Sequence, residues 1–297
     1  DGVPTTFQRN KTPCSEELPQ QVLEAVLQDA DSIDPQLLKK YQSIVGALLY
    51  CATNTRPDVA YSVGLLCRAM GKPTDALYCA AQRVLMYLYR SQDLGLRFAA
   101  SPKELHGYSD SDWGVQHSTT GWVFVLNEAA LSWGSKKQPS IALSSCEAEI
   151  MAASTAATEA VHLSELAAEL GVSSNGSKGS TPDTLELLMD NKAAIEVAYN
   201  PEHHTKMKHV ARRHFYVREL VEEHRIRCTF VSTVDNLADF FTKPLKPAIF
   251  FAMRDKIMNV PVSEQRALCA NRVLVAYGAS QRVARASGHG GVLRGAV

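Results

Sequence analysis

The alternation of apolar and polar positions divides the chain into a helical first part and a mixed second part. From Leu37 to about Tyr89 the pattern is helical, with Tyr41, Ile44, Val45, Leu48 and Leu49 recurring at three-four spacing, the mark of one apolar face on a 3.6-residue period. A polar break over 53–58 follows, and Pro57 bars continuation of the first helix, since proline lacks the amide donor and its ring clashes with the preceding turn. Two further helices are predicted over 59–70 and 76–89, separated by Gly71-Lys72-Pro73. Taken alone, this pattern describes a small helical bundle without chemistry.

The register changes at Leu105. Segments 105–112, 121–127 and 130–134 are short, rich in aromatic or β-branched residues and bounded by Gly, Ser, Asn and Pro, which reads as strands. Asn127-Glu128 suits a hairpin turn between two of them. A long alanine-rich helix is predicted from about Cys146 to Leu170 and stops at Gly171, a natural residue just past a helix end. A Ser-, Asn- and Gly-rich connector over 173–183 leads to a buried strand at 185–189 and a short helix at 192–199. A basic helix over 207–224, a strand over 226–232 and a short helix over 236–242 complete the order. Three strands, helix, strand, helices, strand, helix is the order of a mixed α/β sheet.

Residues 1–36 are polar and proline-bearing, with an acidic stretch at 29–34, and read as a lead-in or linker. After Val262 the chain has five Arg and no Lys, few large apolar residues and runs such as Ser287-Gly288-His289-Gly290-Gly291. No amphipathic stripe is sustained there, so 263–297 is expected to be an unstructured extension, with a nucleic-acid-binding arm as the alternative.

Composition changes this picture little. Two hundred and ninety-seven residues suit about two domains. Lys plus Arg equals Asp plus Glu at 31 each, so any nucleic-acid footprint must come from local clustering. Seven cysteines are scattered without a CxxC, which fits reduced thiols in an intracellular protein better than a disulfide framework. The longest apolar run, 44–52, is much too short to span a bilayer. Asp1-Gly2-Val3-Pro4 carries neither the basic start nor the apolar stretch of a secretory signal. Without an initiator Met, the chain reads as a fragment or processed product.

Five acids stand out. Asp110 and Asp112 lie two apart in a predicted strand, so both face one side, and a hard divalent cation favours such oxygens; binding turn backbone is the plainer alternative. Ser144 with Glu147 forms a capping-box pattern, which accounts for Glu147 and leaves Glu149 over. The two glutamates lie about 200° apart around a helix and cannot serve one site. Glu149 shares a face with Ala153, Ala156 and Ala160, small residues that let a helix lie close to a sheet. Asp190 follows the strand 185–189 and precedes a helix, so it suits either an N-cap or a ligand site at the carboxyl end of a strand. Asp239 is the one acid inside the apolar turn Leu237-Ala238-Asp239-Phe240-Phe241, unless it is simply a surface acid.

Residues 203–227 supply the local charge asymmetry, with Lys206, Lys208, Arg212, Arg213, Arg218, Arg225 and Arg227 against Glu219, Glu222 and Glu223. Beside an acidic site this density fits phosphate contact, chiefly through Lys206, Lys208, Arg212 and Arg213. His203 and His204 raise a zinc reading, but no Cys pair or HxxxH completes such a site.

These motifs occur in a recognisable order. Tyr108-Ser109-Asp110-Ser111-Asp112-Trp113, Ser118-Thr119-Thr120-Gly121 and Ser132-Trp133-Gly134-Ser135-Lys136-Lys137-Gln138 resemble the Pol polyprotein of copia-type LTR retrotransposons. Ala142-Leu143-Ser144-Ser145-Cys146-Glu147-Ala148-Glu149, Met189-Asp190-Asn191, Lys208-His209-Val210 and Ala238-Asp239-Phe240-Phe241-Thr242-Lys243 continue the resemblance. It extends over the RNase H domain of that family at 105–246. Thr55-Arg56-Pro57-Asp58-Val59-Ala60-Tyr61 and Arg83-Val84-Leu85-Met86-Tyr87-Leu88 resemble the segment joining it to the reverse transcriptase, placed here at 37–100.

The resemblance implies an RNase H-like α/β fold: a five-stranded mixed sheet with helices on both faces, preceded by a small helical connection segment. It implies that Asp110, Glu149, Asp190 and Asp239 bind two Mg²⁺ ions, for which Mn²⁺ can substitute, and that the RNA strand of an RNA/DNA hybrid is cut by two-metal catalysis. Expected partners are the hybrid and the reverse transcriptase palm of the full polyprotein, with no membrane. The expected location is cytoplasmic, in a virus-like particle if the element is active, or nuclear. Two departures from the pattern stand out: 231–236 carries no His, unlike the corresponding loop of cellular RNases H, and no paired-aspartate polymerase motif occurs in the chain. The competing reading is a catalytically inactive remnant that still binds nucleic acid or a polymerase. An integrase-type nuclease fails on order, because its Glu comes last whereas Glu149 comes second.

Residues 263–297 offer no periodic apolar face to bury, so they are expected to be dispensable for folding. Limited proteolysis should trim them while the remainder stays compact; a protected C-terminus with core contacts would overturn that expectation.

Overall fold

Five strands form a single sheet in the order β3-β2-β1-β4-β5, where β1 is His106–Asp112, β2 Thr119–Leu126, β3 Ala129–Lys137, β4 Leu185–Met189 and β5 Ile226–Phe230. The computed structural model describes residues 12–28, 33–100, 104–114, 117–171, 184–200 and 211–263. β1, β2 and β3 are antiparallel neighbours, while β4 runs parallel to both β1 and β5. The β2–β3 hairpin turns at Asn127 and Glu128, whose φ angles of 48° and 70° give the two-residue geometry that matches strand twist. β1 and β4, being parallel, need a crossover, and it carries the helix α5 (Ser145–Glu169).

β2 is buried along almost its whole length, because both faces of the sheet are covered. Its even positions, Trp122 and Phe124, join one apolar cluster, and its odd positions, Val123 and Val125, join another. The first cluster lies under α5, α6 (Lys192–Tyr199) and α7 (Ala211–Glu222). There Ala148, Ala153, Ala156, Ala157 and Ala160 of α5 are all buried, and their small side chains let the helix settle on β1.

The second cluster is built from the N-terminal helices and one helix that follows the last strand. Here α1 (Leu18–Leu27), α2 (Pro35–Asn54), α3 (Ala60–Arg68), α4 (Asp75–Arg90) and α8 (Pro247–Ile257) pack with Val123, Val125 and Ala130 and with Phe240 and Phe241. Trp133 on β3 donates its indole N–H to the Ala52 carbonyl at 2.7 Å, tying α2 to the sheet. A buried polar knot accounts for the Arg56-Pro57-Asp58 motif. Arg56 donates to both Asp58 oxygens at 2.8 and 2.7 Å and to Ser91, and the Tyr87 hydroxyl donates to Asp58 at 2.6 Å. Charges buried this deeply persist only when paired and hydrogen-bonded.

The expected RNase H-like α/β architecture is therefore present: a five-stranded mixed sheet with helices on both faces. Its arrangement differs from the sequence reading in four places. The polar lead-in 1–36 contains α1, which buries Leu18, Val22 and Ala25; their helical spacing lies in a short stretch between polar, proline-bearing flanks. The connection segment is one face of the same core rather than a separate unit, because an amphipathic stripe announces a partner surface without saying which. α8 lies beyond the expected boundary at 246, with Pro247 in its first turn, where a missing amide costs no hydrogen bond. β3 continues to Lys137, three residues past the predicted end. The reading of 263–297 lies, past Ser263, outside the described residues.

Each large apolar side chain in the second cluster contributes roughly 1.5–3 kcal/mol through burial, so this half of the core is not optional. A protein cut back to 105–246 is expected to bind a hydrophobic dye and to lose cooperative unfolding, whereas the full chain melts in one transition. A sharp, dye-free melt from 105–246 alone would show that the bundle is an appendage.

Candidate metal centre

The parallel register of β1 and β4 pairs Tyr108 with Leu188. Asp110 lies two residues further along β1, and Asp190 directly follows the end of β4. Asp190 is not needed as the cap of α6, which its neighbour provides: the Asn191 side chain accepts from the Ala194 amide at 3.0 Å. The N-cap alternative for Asp190 thereby falls to Asn191.

Asp239 arrives on the 3-10 turn Leu237–Phe241. Asn236 caps this turn, accepting from the Ala238 amide, and also donates to the Ser109 carbonyl at 3.1 Å, which pins the turn to β1. Close approach to β2 requires Gly121, the cross-strand partner of Asp110. A Cβ there would lie 2.7–2.9 Å from Thr242 Cγ2, the Ala238 carbonyl oxygen and Phe241 Cβ. Thr242, fully buried, donates to Asp110 Oδ2 at 2.6 Å.

Glu149 comes from the opposite face. Ser144 caps α5, accepting from the Glu147 amide at 3.1 Å, while Glu147 reaches back to the Leu143 amide at 2.7 Å. Glu147 is thus consumed by the cap, as its spacing implies, and Glu149 turns to the sheet. Its Oε1 accepts from both the Ser111 amide and hydroxyl, at 3.3 and 3.0 Å.

Carboxylate oxygens of Asp110, Asp190 and Asp239 all lie within 4.8 Å of one another. Burial first, and the Asp239 carboxylate second, push Asp110 up to about 7. Burial, then Asp110 and Asp190, push Glu149 up to about 9. Two oxygens, Glu149 Oε2 and Asp239 Oδ1, are buried without a hydrogen-bond partner. Orphaned acceptors beside crowded like charges call for a cation, and an all-carboxylate set matches the hard-oxygen preference of Mg²⁺ or Mn²⁺. The residues present fit such an ion. Asp239 Oδ2 is already paired with the Lys243 ammonium at 2.8 Å.

Three of the four acids expected to bind metal therefore converge, and Glu149 flanks them through its electrostatic contact with Asp110 and Asp190. Of the four proposed phosphate contacts, Arg213 alone has a described side chain. Lys206 and Lys208 lie outside the described residues, as does the side chain of Arg212. Arg213 is half-buried on α7, which packs on α5 and α6. The sequence reading passed over Ser111, Asn236, Thr242 and Lys243. All but Asn236 sit inside motifs quoted for the resemblance, so their position was visible and their work was not.

No family model matches the chain. It is 36% identical over 231 residues to a retrovirus-related Pol polyprotein from transposon RE2 of Arabidopsis thaliana, a match covering 75% of this chain and 15% of that polyprotein. It is 46% identical over 128 residues to secreted RxLR effector protein 161 of Plasmopara viticola, covering 41% of this chain and 90% of that protein. Among solved structures, RNase H1 from the archaeon Halobacterium salinarum NRC-1 aligns with a TM-score of 0.34 and 21% identity, over 47% of this chain and 94% of that one.

The raised carboxyls set a pH dependence. Asp110 and Glu149, ordinarily at 3.8 and 4.5, hold their protons in the fold up to about 7 and 9. The native state then binds more protons than the unfolded chain, so their contribution is complete at acid pH and is lost as pH rises through those values. In EDTA, the melting temperature should fall between pH 5 and 9, and Glu149→Gln should flatten the upper part of that fall. Parallel pH profiles for parent and variant would show that Glu149 does not titrate there.

Proposed function

We propose that the chain, which is 33–36% identical to retrovirus-related Pol polyproteins of transposons and spans 15% of their length, is the ribonuclease H of a copia-type element. It would hydrolyse the RNA strand of RNA/DNA hybrids during reverse transcription. The observation that carries this reading is the convergence of Asp110, Asp190 and Asp239 at the strand ends, with two buried carboxylate oxygens left without partners.

Asp110, Asp190, Asp239 and Glu149 would hold the metal. When bound, Mg²⁺ supplies charge neutralisation at the phosphate and a water of lowered pKa. Thr242 fixes one oxygen of Asp110, leaving the other for the ion. Ser111 fixes Glu149 Oε1 and leaves Oε2 directed to the same task. Asn236 and Gly121 set the depth at which Asp239 enters. Selectivity for the RNA strand would rest on its 2′-hydroxyl, and Lys206, Lys208, Arg212 and Arg213 would take phosphates of the duplex.

The whole polyprotein's polymerase palm is the proposed protein partner, and the cytoplasm, within a virus-like particle, the proposed setting. No helix among the described residues is long and apolar enough to cross a membrane. The six described cysteines are free thiols.

Asp190→Asn tests this reading cleanly, because Asn191 keeps the cap of α6. Loss of groups that merely orient metal ligands costs roughly 10–100-fold, so removing a ligand charge is expected to cost more. The variant should stay folded and bind a labelled hybrid, yet barely cut it with Mg²⁺ or Mn²⁺. Cutting at the parent rate would mean that the site is misassigned. A parent that binds but never cuts would favour the inactive-remnant reading.

A further inference from the structure

The Thr242-Lys243 pair is left half explained by the metal site. Thr242 orients Asp110. Lys243 pairs with Asp239 Oδ2 at 2.8 Å, although that oxygen belongs to a carboxylate expected to hold a cation. Simple displacement of the lysine by an incoming ion is one outcome, but the geometry does not require it. Asp239 has a second oxygen, Oδ1, that is buried and without a partner, so the two oxygens can serve two cations at once.

The two side chains also differ in exposure: that of Asp239 is 11% exposed and that of Lys243 is 39% exposed. An ammonium has three donors, and the Asp239 contact uses one. Lys243 further lies within electrostatic reach of Asp110 and Asp112. A cation fixed at its inner side by a carboxylate of the cluster, and open at its outer side to solvent, is placed to meet an anion approaching the metal.

We propose that Lys243 is a substrate-contacting residue of this site, keeping Asp239 Oδ2 while Oδ1 serves the metal, and giving its remaining donors to a phosphate oxygen of the strand being cut. This rests on the ribonuclease reading of the same cluster and adds a residue to it. Lysine suits the task as a compact point charge, and its anchor in the metal cluster sets its distance from the reacting phosphate.

The test compares the full chain with Lys243→Met and Lys243→Arg. Binding of a fluorescent RNA/DNA hybrid is measured by anisotropy across a salt series with Ca²⁺ in place of Mg²⁺, and cutting is measured separately with Mg²⁺. Lys243→Met should weaken hybrid binding and reduce the salt slope by about one unit, the signature of one lost phosphate contact. Lys243→Arg, which keeps the charge, should restore the slope even if its rate stays low. An unchanged slope in Lys243→Met, with the variant folded, would make Lys243 only the counter-ion of Asp239 and overturn the proposal. If the parent binds without cutting while the slope still drops, the phosphate contact stands and the ribonuclease reading falls. A parent that binds no hybrid overturns both.

Discussion

Crowded negative charge is the constraint around which this structure is arranged. Three carboxylates bring oxygens within 4.8 Å of one another, and two of them, Asp110 and Asp239, are buried. At an effective dielectric near 20, two ionised carboxylates at that distance repel by about 3–4 kcal/mol, and the desolvation of each adds to this. The Lys243 ammonium, 2.8 Å from Asp239 Oδ2, offsets part of this repulsion at one carboxylate. The arrangement persists because rigid elements on both sides hold it: the β1–β4 register, the 3-10 turn pinned by Asn236, and α5 seated on its alanines. Burial first, and the neighbouring carboxylates second, raise the pKa values of Asp110 and Glu149, so that proton uptake there relieves the charge.

The N-terminal helices belong to the same argument. Their apolar faces cover the side of the sheet that carries Val123, Val125 and Ala130, and the cluster continues without a break into Phe240 and Phe241 beside Asp239. The turn that delivers Asp239 is therefore seated on a core built largely by residues earlier in the chain than β1. The N-terminal helices in this position support the acidic cluster through packing rather than through contact with its carboxylates.

The elements were legible wherever one residue type dictates one outcome. β4 and α6 fall at their expected bounds, since an apolar strand ending at an acid and a helix closed by Asn200-Pro201 leave little choice. The separation of Glu147 from Glu149 also follows from sequence, because a capping box consumes one acid and helical phase excludes it from the other's face. What stayed hidden depended on tertiary partners. Leu18, Val22 and Ala25 have helical spacing, but only the packing of α1 on α3 and α4 shows that this short stretch is held as a helix. Asp190 and Asn191 are equally good caps on paper; the fold gives the cap to Asn191 and leaves Asp190 in the acidic cluster. Lys243 reads as an ordinary charged residue after a turn, and its meaning comes from Asp239, whose burial no local pattern shows.

Delivery of ligands from both faces of the sheet has a consequence for how binding and folding are coupled. Asp110 and Asp190 sit on the sheet, Asp239 on the turn above one face, and Glu149 on the helix beneath the other. An ion that engages all four would bridge three layers that otherwise meet only through apolar packing and a few hydrogen bonds. Any ligand that binds the native state alone stabilises it by mass action, about 2.7 kcal/mol at one hundred times its dissociation constant. Here that stabilisation would fall on the contacts between layers, where the like charges otherwise push the turn and α5 away from the strand ends. Without such an ion the crowded acids are the strained part of the fold, relieved by the Lys243 ammonium and by proton uptake at Asp110 and Glu149.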